Sequence, residues 1–233
     1  MIAAPPSPDK PNTMLQKSTL QFLKNLRANN NKAWFDAHRM AYDTAKADFV
    51  NLIDALIGIL SRTDPSIGHL RAKDCLFRIN RDVRFSKNKA PYKSHFAAAI
   101  NAEGRKGERP GYYLHLEPGA SFAAGGYYMP APEDLQKIRQ EIDYEFDRWK
   151  KIVRRPAFLR RFPEGVEGTQ PLVRAPKGYE EQNPAIAFLK MRGFTVSHPY
   201  TDVEMTGAAD LQELGATFAA MKPFLDFLSG ALD

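Results

Sequence analysis

The chain has 233 residues, of which 43% are hydrophobic and 26% are charged, as in a globular protein with a sizeable core. Its single cysteine, Cys75, excludes an intrachain disulfide and fits a reducing compartment. No apolar run reaches the roughly 20 residues that a membrane helix needs, and the first residues do not resemble a secretory signal. We therefore expect a cytoplasmic protein with no membrane partner.

The net charge of +6 is concentrated in the middle of the chain. Residues 71–110 hold eleven Lys or Arg and four Asp or Glu, an excess of seven, so the remainder is close to neutral. A local basic region attracts phosphates, nucleic acid or acidic partners. A solvated basic surface with no ligand is the alternative.

The sequence of residues 1–61 indicates a disordered arm followed by two helices. Residues 1–14 contain four prolines and few apolar groups, which predicts a disordered arm ahead of a single domain over 15–233. A helix begins near Ser18 and ends at three consecutive asparagines, one of which can cap the next helix. Apolar residues at helical spacing predict that second helix from about Lys32 to Ser61, with His38 on its apolar stripe.

The apolar pattern then changes to a period of two. The stretch "LFRINRDVRF" places Arg81 on one face together with four apolar residues, Phe77, Ile79, Val83 and Phe85. The stretches "YKSHFAAAI", "GYYLHLEPG" and "SFAAGGYYM" predict further strands, the last bulged or closely crossed at Gly125 and Gly126. Together they predict an antiparallel meander of about four strands.

The remainder of the chain is mainly helical. A helix is predicted from Pro132 to Val153, followed by short helices, a strand compatible with "FTVSH", and a final helical region from about Ala208. This order predicts an α+β fold, in which N-terminal helices precede the meander and C-terminal helices pack on the sheet.

Arg81 is the most unusual residue of the predicted first strand. An arginine on an apolar face is costly to desolvate unless it meets a carboxylate, a group of carbonyls or a bound anion. We predict that a phosphate- or carboxylate-bearing small molecule binds where this segment approaches Gly125 and Gly126. The predicted anion-binding residues are Arg78, Arg81, Arg84, Lys89, Tyr92 and Lys93.

Two other interpretations of the basic segment stay open. The same surface suits a non-enzymatic module that binds nucleic acid or protein. Alternatively, the arginines are paired within the chain and serve the fold alone.

His95 and His115 fall on neighbouring predicted strands. By default they are unrelated strand histidines, but across a hairpin they can face each other as acid, base or metal ligands. If the protein is an enzyme, they are the candidates for proton transfer. No Cys or His pair has zinc-finger spacing, so no metal site is predicted, and no phosphate-loop or dinucleotide motif identifies a cofactor.

Several stretches resemble one family along nearly the whole chain, from about Thr19 to Leu228. They are "TLQFLKNLRANNNKAWFDAHRMAYDTA", "CLFRINRDVRFSKNKAPYKSHFAAAI", "GYYLHLEPGASFAAGGYYMP" and "RAPKGY". The family is the uncharacterised, conserved hypothetical protein family known as domain of unknown function 2461. Relatives often carry Asp-His-Pro where this chain has "QNP", so Asn183 stands in the place of a histidine. The resemblance implies one domain and supports the choice of segment, but it implies no reaction.

Overall fold

A computed structural model describes residues 15–207 and 210–233 of the chain. The predicted disordered arm, residues 1–14, lies outside the described residues. The α+β class is confirmed, since N-terminal and C-terminal helices accompany an antiparallel sheet of four strands. The described helices are α1 (Lys17–Ala28), α2 (Lys32–Ala37), α3 (Arg39–Leu60), α4 (Ala72–Cys75), α5 (Pro132–Tyr144), α6 (Phe146–Val153), α7 (Pro156–Arg161), α8 (Ile186–Leu189), α9 (Asp202–Met205) and α10 (Asp210–Gly230). The strands are β1 (Phe96–Ile100), β2 (Gly111–Leu116), β3 (Ser121–Tyr127) and β4 (Phe194–Tyr200).

The predicted second helix is divided at His38. The Asn31 side chain caps α2 by accepting a hydrogen bond from the Trp34 N–H, as the asparagine run predicts. His38 leaves helical geometry, and its ring stacks on Trp34 with centroids 4.0 Å apart. The placement of His38 on a buried stripe was wrong, because the break turns its side chain to solvent.

The predicted strand "LFRINRDVRF" is wrong, since the chain forms only single bridges there. Residues 76–93 instead form an irregular hairpin, here called the basic hairpin, closed by backbone hydrogen bonds such as Lys93 N–H to the Ile79 carbonyl. Ile79 is buried, but Phe77 is 36% exposed and Phe85 is 96% exposed. The tip of the hairpin leaves the sheet, so its alternating apolar residues share no buried face.

The fourth strand of the sheet is β4, which contains the stretch "FTVSH" for which a strand was considered compatible. The sheet order is β1-β2-β3-β4, with every neighbouring pair antiparallel. One face is buried and presents side chains such as Phe96, Leu114, Ala123 and Val196. The opposite, outer face carries half-exposed side chains. Alternation along each strand therefore separates a core face from a face that is available to ligands.

Helices α3 and α10 cover the buried face of the sheet. Helix α10 packs mainly on β3, where the Met221 sulfur lies 2.6 Å from the position that a Cβ on Gly125 would occupy. At Gly126, φ is +135° and a Cβ would lie 2.0 Å from the Phe194 carbonyl oxygen. Gly125 thus allows the close approach of α10 to β3, and Gly126 allows that of the neighbouring β4 backbone, as the predicted close crossing requires.

None of the helices within 15–207 and 210–233 combines the length and the hydropathy needed to span a lipid bilayer.

Candidate functional site

The tip of the basic hairpin is held together by its own cations. The Arg81 guanidinium donates to the Ala90 carbonyl at 2.9 Å and to the Ser86 hydroxyl at 3.3 Å. Lys89 donates from Nζ to the Val83 carbonyl at 3.1 Å. These contacts close the loop across its neck, so a bound anion is not required to satisfy Arg81.

Arg84 has a carboxylate partner two residues away. Its Nε and Nη2 atoms donate to the two oxygens of Asp82 at 3.0 and 2.7 Å. The pKa of Asp82 is lowered, first by these side-chain hydrogen bonds and then by the Arg84 backbone N–H. Both side chains are largely exposed, so the pair is a surface ion pair.

Tyr92 belongs to the core of the hairpin base. The residue is 7% exposed, and its ring stacks on Phe35 with centroids 4.1 Å apart. The Asn30 side chain donates to the Tyr92 carbonyl at 2.9 Å and accepts from the Tyr92 N–H at 3.0 Å. This pair of hydrogen bonds imitates one step of a β-ladder and fixes the hairpin against the α1–α2 junction.

Lys93 approaches two other cations at the base of the hairpin. Its Nζ lies 5.3 Å from the centroid of the Phe77 ring. Burial lowers the pKa of Lys93, and the nearby charges of Arg78 and Arg105 lower it further. Positive charges therefore accumulate here in a partly desolvated position, a pattern that favours a bound anion.

A second group of cations lines a concavity of about 410 Å³ between α3, α4 and the start of the basic hairpin. We call it the basic pocket, and its charged lining consists of Lys46, Lys73, Arg78 and Arg105. No carboxylate lines it among the described residues, and none of the four cations pairs with a described carboxylate. Arg105 donates to the Leu76 carbonyl at 2.8 Å, which fixes its guanidinium.

The outer face of the sheet forms a larger groove of about 790 Å³. Its lining is mainly apolar and aromatic, with Tyr113 and Phe122 on neighbouring strands and the exposed Tyr128 and Met129 at the rim. Phe77 lines both this groove and the basic pocket, so the two concavities adjoin at its ring.

His95 and His115 face each other, as the alternative interpretation of the sequence proposed. Their ring centroids are 4.2 Å apart. His115 also contacts Glu117 through Nε2 and Oε2 at 3.2 Å, and the Tyr113 hydroxyl through Nδ1 at 3.0 Å. The Glu117 carboxylate accepts a further hydrogen bond from the Ser94 hydroxyl at 2.9 Å. The outer face thus presents a connected cluster, here called the His–His–Glu cluster.

Burial and neighbouring charges change the protonation of this cluster. The pKa of His95 is lowered to about 4, first by desolvation and then by the charges of His115 and Lys93, which outweigh the raising effect of Glu117. Burial tends to raise the pKa of Glu117, but hydrogen bonds from His115 and Ser94 outweigh it, so the net pKa is lowered. At neutral pH, His95 is therefore neutral and Glu117 is ionised.

The structure distributes the predicted site residues among different places. Arg78 lines the basic pocket, and Lys93 interacts with the charges of Arg78 and Arg105. Arg81, Arg84 and Lys89 belong to the hairpin tip, and Tyr92 belongs to the core. Their assignment to one anion site stays a prediction. The sequence did not single out Lys46, Lys73, Arg105 or Glu117. For Glu117, the signal available was its spacing of two residues from His115, just after the end of β2.

The comparisons identify the family. The family model described as conserved hypothetical protein (DUF2461) matches residues 18–227, so the chain belongs to this family. Neither a search of curated proteins nor a search of solved structures found a match. Asn183, which stands where relatives often carry a histidine, donates to Asp143 at 2.6 Å and accepts from the Ala185 N–H at 2.8 Å. Asn183 therefore stabilises the turn before α8.

Proposed function

We propose that the protein binds an anionic small molecule, carrying a phosphate or a carboxylate, in the basic pocket. The observation that carries the proposal is the lining of this pocket, which includes four cations and no described carboxylate. Arginine binds such groups through two parallel hydrogen bonds, and lysine adds a point charge. The single cysteine, Cys75, is buried and free, which supports a cytoplasmic location as part of the same proposal.

The neighbouring groove supports a ligand that also has an apolar or aromatic part. Phe77 separates the two concavities, and Lys93 lies over its ring. A ligand with its anion in the basic pocket can extend past Phe77 onto Tyr113 and Phe122. This arrangement combines a few charged groups with a largely apolar surface, as small-molecule sites do.

A thermal-stability screen of phosphorylated metabolites, nucleotides and carboxylates tests the proposal. A ligand that binds the folded state stabilises it by about 2.7 kcal/mol at a hundred times its Kd, so the Tm rises with concentration. The variants Arg78→Gln and Lys73→Gln, both of exposed residues, should abolish or strongly reduce this rise. Arg84→Gln is the matched control, because Arg84 is paired with Asp82 outside the pocket.

Two results would count against the basic pocket. One is a screen in which no anionic compound raises the Tm of the unmodified chain. The other is a rise that persists in both pocket variants and disappears in Arg84→Gln, which would place the anion at the hairpin tip.

A second candidate function is nucleic-acid binding by the hairpin tip. Phe85 is 96% exposed, and the Arg84 guanidinium lies 5.9 Å from its ring centroid. Exposed aromatic rings beside cations stack on unpaired bases. Labelled single-stranded RNA or DNA should then bind at low salt, weaken steeply as salt rises, and lose affinity in Phe85→Ala. Absence of binding at low salt would exclude this function.

A further inference from the structure

The His–His–Glu cluster lies on the outer face of the sheet, and none of its three residues lines the basic pocket. In the β1–β2 register Ala97 is opposite His115, and continuing that register places His95 opposite Glu117. The three side chains therefore share one face by strand geometry. All three are half-buried, and their nearest donor atoms lie within 4.8 Å of one another.

The donor set is one that divalent transition metals use. Two imidazoles and one carboxylate form the protein ligands of many catalytic zinc and non-haem iron sites. Two ligands at about 2.0–2.2 Å from one ion are themselves about 3 Å apart at octahedral angles and about 3.4 Å apart at tetrahedral angles. His115 Nε2 and Glu117 Oε2 are separated by 3.2 Å, so one ion can contact both with little movement.

Neighbouring groups orient these ligands. The Tyr113 hydroxyl contacts His115 Nδ1, and the Ser94 hydroxyl holds the Glu117 oxygen that His115 does not contact. Phe122 stacks on the His115 ring with centroids 4.8 Å apart and planes within 14°. Hydrogen-bonded partners of this kind fix the tautomer and the direction of metal ligands.

The same hydrogen bonds are also compatible with a cluster that holds no ion. Binding of an ion would change which ring nitrogen of His115 carries the proton. Without metal, the Nε2–H of His115 can donate to Glu117 while the Tyr113 hydroxyl donates to Nδ1. With a metal ion on Nε2, the neutral imidazole would take the other tautomer, with its one proton on Nδ1, and the hydroxyl would accept from Nδ1–H instead. Lys93 is a nearby positive charge that opposes a cation, and the Glu117 carboxylate offsets it.

We propose that His95, His115 and Glu117 bind one divalent first-row transition metal ion, with Zn²⁺ as the reference ion. Three protein ligands leave at least one coordination position for water or substrate. Tyr113 and Phe122, which contact His115, also line the outer-face groove, so the ion lies at the border of this groove.

Calorimetric titration of Zn²⁺, and visible absorption of bound Co²⁺, test the site on the untagged full chain after treatment with a chelator. We expect one ion per chain. Glu117→Gln keeps the hydrogen-bonding shape but removes the charged ligand, and His95→Ala removes an imidazole; each should raise the Kd at least about tenfold. His69→Ala is the control, because this exposed loop histidine lies outside the cluster.

The melting temperature of each variant in the presence of chelator shows whether it folds, and Glu117→Gln tests the site even if His95→Ala does not fold. The proposal is overturned if neither ion binds the unmodified chain. It is equally overturned if folded Glu117→Gln binds as tightly as the unmodified chain, or if His69→Ala alone removes binding.

Discussion

Arg81 shows how a partly buried guanidinium can form its hydrogen bonds without a carboxylate or a bound ligand. Its guanidinium donates to the Ala90 carbonyl and the Ser86 hydroxyl, and it thereby joins the two ends of the hairpin tip. We expect Arg81→Ala to lower the free energy of unfolding by about 1–2 kcal/mol, because hydrogen bonds from a charged donor are lost in a partly buried position. Urea unfolding followed by circular dichroism measures the change.

Arg84→Ala is the matched comparison for Arg81→Ala. The Arg84 side chain is 76% exposed and pairs only with Asp82 among the described carboxylates. The midpoint of urea unfolding should therefore stay unchanged, since exposed ion pairs contribute little. Equal losses in both variants would mean that Arg81 has no special structural role.

The sequence predicted the need of Arg81 for a partner but not the partner itself. A carboxylate, a group of carbonyls and a bound anion were all consistent with its position, and the structure provides a carbonyl and a hydroxyl. The carbonyl belongs to the backbone of Ala90, so no side-chain pattern could have indicated it. The sequence pattern also placed Arg78 and Arg84 at equivalent positions on the predicted strand, although of these two only Arg78 lines the basic pocket.

At the scale of elements, Asn30 connects two segments that are far apart in the chain. Its amide forms two hydrogen bonds with the backbone of Tyr92. Asn30→Ala should reduce the free energy of unfolding by about 1–3 kcal/mol, because it leaves a partly buried N–H and carbonyl without these partners. Asn29→Ala is the control: it loses one exposed hydrogen bond, to the Asn25 carbonyl, and should change stability less. Equal effects in urea unfolding would contradict the role of Asn30.

The elements predicted with most success were those whose periodicity is matched by burial. β2 and β3 alternate between buried and half-buried residues along their whole length, and their pattern was visible in the sequence. The basic hairpin has the same alternation without the same burial, because only the base of the hairpin is bridged to neighbouring segments. The contact between His95 and His115 depends on strand register, which the sequence does not specify without the intervening loop geometry.

At the scale of the whole molecule, the sheet connects the two helical regions. Helix α10 packs on both β3 and α3, so the C-terminal helix is in contact with the N-terminal helices as well as with the strands. The buried apolar residues, from Leu15 to Leu232, form one cluster. A core of this kind favours a single cooperative unit over two independent ones.

The two tryptophans provide a test of the predicted single domain over 15–233, because one lies in the N-terminal helices and the other in the C-terminal helices. Trp34 lies in α2 against His38, and Trp149 is fully buried in α6 against Phe227. In Trp149→Phe the fluorescence comes from Trp34, and in Trp34→Phe it comes from Trp149. In each variant we expect urea unfolding by fluorescence to coincide with unfolding by far-ultraviolet circular dichroism, since one cooperative unit loses all its structure together. Trp149→Phe should unfold at lower urea because it leaves a cavity, but it should shift both signals equally. Separate fluorescence and dichroism midpoints in either variant would show that the helical regions unfold as independent units.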